Sequence, residues 1–140
     1  MNLAQKIEQL HTSEHKLLVI VGGPGSGKSK LIREYSNETG IPMLDLDMIF
    51  QHTPSDKLVE EMQHFLTTYR HPVLLLDNKK ILYAKDSKID LLEFLKAAST
   101  DKPVVATWNG KVEDGQLFHF RKDCDDLIYP VNDEVVVVEC

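Results

Sequence analysis

The sequence is poor in arginine and poorer in cysteine. Only Arg33, Arg70 and Arg121 stand among 140 residues, and no run of lysine and arginine is longer than two. With a net charge of −6, that argues against a surface wrapped on nucleic acid through phosphate contacts. The two cysteines, Cys124 and Cys140, form neither a C-x-x-C pair nor a Cys/His spacing suited to zinc, and they are too few for a disulfide framework. Cys140, as the last residue, is expected to be mobile. No apolar run approaches the roughly 18 residues of a membrane span. The opening stretch MNLAQKIEQLHTSEHK is too polar for a secretory signal. These absences lead to the expectation of a cytoplasmic chain of ordinary composition, folded as one domain around one core.

What is present alternates. Leu3, Ile7 and Leu10 mark a short amphipathic helix over residues 1–15. The run KLLVIV, residues 16–21, reads as a buried parallel strand. SKLIREYSNETG reads as a helix with Leu31, Ile32 and Tyr35 inward, and Gly40 and Pro42 stop it. PMLDLDMIF is a second strand ending near Asp45 and Asp47. TPSDKLVEEMQHFLTTYR predicts a helix capped by Thr53, with Pro54 at its first position. Its apolar stripe is Leu58, Val59, Met62, Phe65, Leu66 and Tyr69. PVLLLD is a third buried strand. DSKIDLLEFLKAAS is a helix capped by Asp86 or Ser87, with Ile89, Leu92 and Leu95 inward. KPVVATWNG is a fourth strand. Strand and helix in turn argue a mostly parallel sheet with helices on both faces. The core is expected over residues 16–110, and residues 111–140 form a strand-rich tail without a helix. There Asp114-Gly115 offers a hairpin turn, and DLIYPV and EVVVVE are candidate strands, paired with each other around Asn132-Asp133.

GGPGSGKS, residues 22–29, matches G-x-x-x-x-G-K-[ST] between a predicted strand and a predicted helix. Gly22, Gly25 and Gly27 let the backbone turn so that its N–H groups face phosphate oxygens, with Gly23, Pro24 and Ser26 completing the loop. The helix that follows aims its positive end at the same place. Lys28 would neutralise the outer phosphates and Ser29 would ligate Mg²⁺, while Lys30 either adds charge beside the site or, the favoured reading, is a solvated lysine on the helix face. A nucleotide with Mg²⁺ also needs a carboxylate near the metal. Asp77 closes an apolar strand as such a residue does. The next residue is the difficulty: ATP-hydrolysing proteins often carry a glutamate there to activate water, and here it is Asn78. An amide can orient water but cannot take its proton. Lys79 and Lys80 read as solvated or facing a partner. The spacing places another strand, PVVATWN, between the strand of Asp77 and the strand before the loop.

ATWN resembles the sensor strand of AAA+ ATPases, which makes Asn109 the sensor, with Thr107 second; Asn109-Gly110 also reads as a turn. GGPGSGKS, LLLDN and VVATWNG together resemble the small P-loop proteins of BrxF type from bacterial BREX phage-defence systems, over nearly the whole chain. The resemblance implies a three-layer α/β P-loop NTPase of AAA+ type, binding ATP and Mg²⁺ and serving other BREX proteins in an antiviral complex. It departs from a full AAA+ module in having no C-terminal helical lid and no glutamate after Asp77. Lys28, Asp77, Asn78 and Asn109 are then the candidate catalytic residues, Ser29 and Asp77 the candidate metal ligands. The absence of an N-K-x-D stretch favours ATP over GTP. Arg121 could reach a neighbouring subunit of a homo-oligomer. Slow or partner-dependent hydrolysis follows. Two rivals remain: a small-molecule kinase, since MLDLD resembles the D-x-D of shikimate kinase with Asp45 or Asp47 receiving a hydroxyl proton, and a nucleotide-held scaffold without turnover.

Overall fold

The computed structural model describes residues 2–84, 87, 89–122 and 124–140. Strand β1 (Leu17–Gly22) is buried along its whole length. Its alternate residues serve opposite faces. Leu18 and Ile20 pack with Ile7, Leu10 and Ile32 of α1 (Leu3–Leu10) and α2 (Lys28–Thr39). Leu17, Val19 and Val21 pack into a second cluster with Leu46, Met62, Leu82 and Leu95. Those four come from α3 (Leu46–Ile49), α4 (Leu58–Thr68), α5 (Lys80–Tyr83) and α6 (Leu91–Ala98). Helices therefore cover both faces of one sheet, as strands apolar on both sides require. Each fully buried Leu or Ile contributes about 1.5–3 kcal/mol.

Sheet order explains the rest. Parallel strands run β2 (Met43–Asp45), β3 (Leu74–Asp77), β4 (Val104–Glu113), β1 and β7 (Val135–Glu139). The fourth strand lies between the third and the first, as the spacing predicts. The register pairs Asp45 with Asp77 and Gly22 with Asn109, so the ends of these strands meet along one edge. Strand β4 runs ten residues and leaves the parallel sheet at Asn109-Gly110, which is continuous strand rather than a turn. Its second half pairs antiparallel with β5 (Gln116–His119), and β5 with β6 (Leu127–Pro130). Asp114 (φ 53) and Gly115 (φ 74) form the connecting two-residue turn. Positive φ at both positions matches the right-handed twist of the flanking strands.

Four local expectations are corrected. Thr53 and Pro54 do not begin α4. Thr53 N donates to Phe50 O and Lys57 N to Pro54 O, so the chain turns twice, and the helix starts at Leu58, the first side chain to reach the core. Val59 faces outward, 46% exposed. Helix α6 is capped by Asp90, which accepts from Glu93 N at 3.1 Å; Ser87 instead donates to Leu82 O, and Asp86 lies outside the described residues. The last two strands are not partners. β6 extends the antiparallel hairpin, whereas β7 covers β1 in parallel, so that β7 rather than β1 forms this edge of the sheet. That pairing also holds Cys140, whose N–H donates to Val21 O at 2.8 Å. Among the described residues no helix is long and apolar enough to cross a membrane.

Gly110 is where β4 changes partners. A Cβ there would overlap the Phe118 carbonyl oxygen, which accepts from Trp108 Nε1 at 2.9 Å. Gly110→Ala is expected to lower stability by about 1–3 kcal/mol, read as an earlier urea midpoint in the fluorescence of the single tryptophan.

Candidate functional site

The loop from β1 to α2 turns through Gly25 (φ +77) and Gly27 (φ +96), a region open to glycine without strain. Gly27 is the cap of α2 and brings no side chain to the first-turn N–H groups. Those donors, at the positive end of a twelve-residue helix, are free for an anion. Lys28 Nζ donates back to Gly23 O at 2.8 Å, so the ammonium lies across the loop. Partial burial draws Lys28 below its ordinary range, against the pull of Cys140 and Asp77. Cys140 Sγ donates to Ser26 O at 2.9 Å, so this residue is held against the loop and is not the mobile end expected. Lys30 points to solvent on α2 and is not part of the cavity.

Pro24, Lys28 and Ser29 line an open cavity of about 220 Å³, and Asp77, Thr107 and Asn109 line its other side. Asp77 is 8% exposed. Ser29 Oγ lies 3.1 and 3.2 Å from its two carboxylate oxygens, and Thr107 Oγ1 donates to Oδ1 at 3.1 Å. The residues expected to share a metal therefore converge across 48 positions of sequence. Among the described residues no group of three His, Cys, Asp or Glu could hold a metal. The oxygens of Ser29 and Asp77 fit Mg²⁺, which commonly takes one or two protein oxygens and completes its shell with phosphate and water.

Lys79 overturns its reading as a solvated residue. It is 3% exposed, and its Nζ donates to both the carbonyl and the hydroxyl of Thr107. Burial pushes its pKa down to about 8, opposed by Asp77 and Asp47. Thr107 thus joins Asp77 to Lys79 at the end of the central strands.

Asn78 has φ 26, a backbone state in which asparagine is several-fold enriched and most side chains are not. Its Nδ2 donates to Asp45 Oδ2 at 2.9 Å. That bond and the Met48 N–H hold Asp45 below the usual carboxylate range. Asp47 accepts from Lys80 N and Ile81 N at 3.0 and 2.9 Å, closing the first turn of α5. Asp45 ends β2 but Asp47 lies in α3. Both carboxylates are engaged by neighbours, and neither lines the cavity.

Asn109 does line it, and its Oδ1 is buried without a partner. So is Nε2 of His119, a residue not singled out from the sequence. His119 ends β5, fully buried, with Tyr83 at 4.1 Å and Trp108 at 4.8 Å between ring centroids. Burial, then Lys79, pushes its pKa down to about 3, so the ring is neutral. Alternation in QLFHF does mark His119 as inward with Leu117, but only the fold brings that hairpin face to the loop. Tyr83 belongs to α5, which the sequence pattern did not show. Arg121 lines an adjoining cavity of about 550 Å³ with Lys80, Lys122 and Asn109, and its Nε donates to Asp125 O at 2.6 Å. Arg33 and Arg70 are exposed and line neither cavity.

No protein-family model, curated protein or solved structure matches the chain.

Lys79 generates a pH signature. Its folded pKa lies below the unfolded value of 10.5, so the unfolded chain binds more protons between pH 8 and 10.5, and stability rises with pH across that window. Relative to Lys79→Met, the wild type is expected to gain on the order of 3 kcal/mol over the window, measured by urea unfolding at pH 7.5 and 10. Equal slopes for both proteins would rule out the depressed lysine.

Proposed function

We propose that this chain is an ATP-binding P-loop protein that hydrolyses ATP slowly, or only with a partner. The observation that carries the reading is Ser29 Oγ within 3.2 Å of both oxygens of Asp77. A hydroxyl at the start of the helix after a G-x-x-x-x-G-K-[ST] loop meets a carboxylate at the end of a neighbouring strand. That is the donor pair a nucleotide-bound Mg²⁺ uses. Mg²⁺, held by Ser29 and Asp77, would supply positive charge to offset that of the phosphates. The loop N–H groups and the start of α2 would hold the phosphates. Lys28 would swing from Gly23 O to a phosphate oxygen, and Asn109 would face the terminal phosphate as a sensor.

The Asn78 amide cannot take a proton from water; its Nδ2 is bound to Asp45, and its side-chain oxygen could at most orient a water in the cavity it lines, which is why turnover is expected to be slow or to depend on a neighbouring subunit. Arg121, beside Asn109 in the adjoining cavity, could serve its own site or one in a homo-oligomer. No observation favours the kinase reading, because Asp45 and Asp47 are engaged in local hydrogen bonds. Action with other BREX proteins in an antiviral complex rests on the sequence resemblance alone.

Lys28→Ala is expected to weaken ATP binding by about ten-fold or more, the worth of a charge-assisted hydrogen bond, in calorimetry with Mg²⁺ present. Equal affinity would remove the reading. Phosphate release per chain that climbs with protein concentration marks a shared site. Tight binding without release at any concentration marks a nucleotide-held scaffold.

A further inference from the structure

Two residues that line the cavity each carry a buried side-chain atom without a partner among the described residues: Asn109 Oδ1 and His119 Nε2. Buried polar atoms without partners are rare, and each needs an explanation. The His119 tautomer follows from its other nitrogen. Nδ1 lies 2.9 Å from the Phe120 carbonyl oxygen, which only accepts, so Nδ1 carries the hydrogen and Nε2 presents a lone pair. Asn109 Oδ1 is an acceptor too. Phosphate oxygens are acceptors and cannot satisfy either atom. A cation is disfavoured, because Lys79, Arg121 and Lys28 already bring positive charge close to His119. What remains is a small neutral donor.

We propose that His119 Nε2 and Asn109 Oδ1 hold the two hydrogens of the water that attacks the terminal phosphate, in place of the glutamate absent after Asp77. The proposal rests on the reading of this cavity as an ATP site. In the step, the water oxygen bonds to the terminal phosphorus. The bond from that phosphorus to the bridging oxygen breaks, and its electron pair leaves with ADP. One water hydrogen stays on the inorganic phosphate; the other passes to solvent as a proton after release. The imidazole orients the water and stores no proton. Tyr83 and Trp108 pack against the ring, with centroids 4.1 and 4.8 Å away.

The test uses the full chain labelled with ¹⁵N-histidine. The His119 signals among the six histidines are identified by their loss in His119→Phe or His119→Gln. Adding ADP, Mg²⁺ and aluminium fluoride, which mimics the transferring phosphate, is expected to move the Nε2 resonance upfield relative to ADP and Mg²⁺ alone. His119→Phe keeps the aromatic packing without the acceptor. It is expected to slow phosphate release by about a hundred-fold, with ATP affinity within about two-fold of wild type. His119→Gln, which carries an oxygen near the position of Nε2, should recover part of the rate. An unmoved resonance overturns the proposal, as does full turnover in His119→Phe. If His119→Phe does not fold, the resonance and the glutamine variant decide. Failure of the wild type to bind ATP overturns the underlying reading as well, and calorimetry shows that separately.

Discussion

A carboxylate buried at the end of an apolar strand must be satisfied, and Asp77 imposes that demand here. Its oxygens take hydroxyl hydrogens from Ser29 and Thr107, and Thr107 in turn accepts Lys79. Each partner comes from a different element: the start of α2, the middle of β4 and the link to α5. Satisfying one carboxylate therefore ties the glycine loop to the central strands. It is possible only because β4 lies between β1 and β3 with Ala106 level with both Val19 and Leu76.

The asparagine after Asp77 has a local cause. The chain leaves β3 with a positive φ at residue 78, and asparagine adopts that state more readily than a glutamate would. Its amide then binds Asp45, and its carbonyl accepts from Asp47 N at 3.0 Å. The position has become a clamp between neighbouring strand ends. The same turn sends Lys79 inward, so a lysine that reads as solvated becomes the buried cation of the proposed site. Asparagine at this position serves the backbone as much as the chemistry of its side chain.

Legibility in the sequence followed the range of the interaction. The alternation of strands and helices, the loop 22–29, Asp77 and the Asp114-Gly115 turn depend on a few adjacent residues, and all are present where expected. Helix starts are less legible because capping is a competition. Thr53 and Ser87 have the right chemistry, but Ser87 is occupied by Leu82 O and the chain still turns at Thr53. The partner of β7 is not legible because EVVVVE suits a parallel or an antiparallel edge equally, and the open side of β1 decides it. His119 is hidden for the same reason: period-two alternation says that a side chain faces inward, not what it faces.

By itself the sequence determined an α/β domain with a mostly parallel sheet, a glycine-rich turn after the first strand and a carboxylate at the end of the third. Apolar periodicity and glycine backbone freedom are local properties, so they can be read without a partner. Tertiary structure alone decided that Lys79 is buried, that Asp45 and Asp47 serve neighbouring turns, and that Asn109 and His119 line one cavity with their acceptors unpaired. Those facts depend on contacts between segments far apart in the chain, where burial and hydrogen-bond partners are set by packing rather than by residue type.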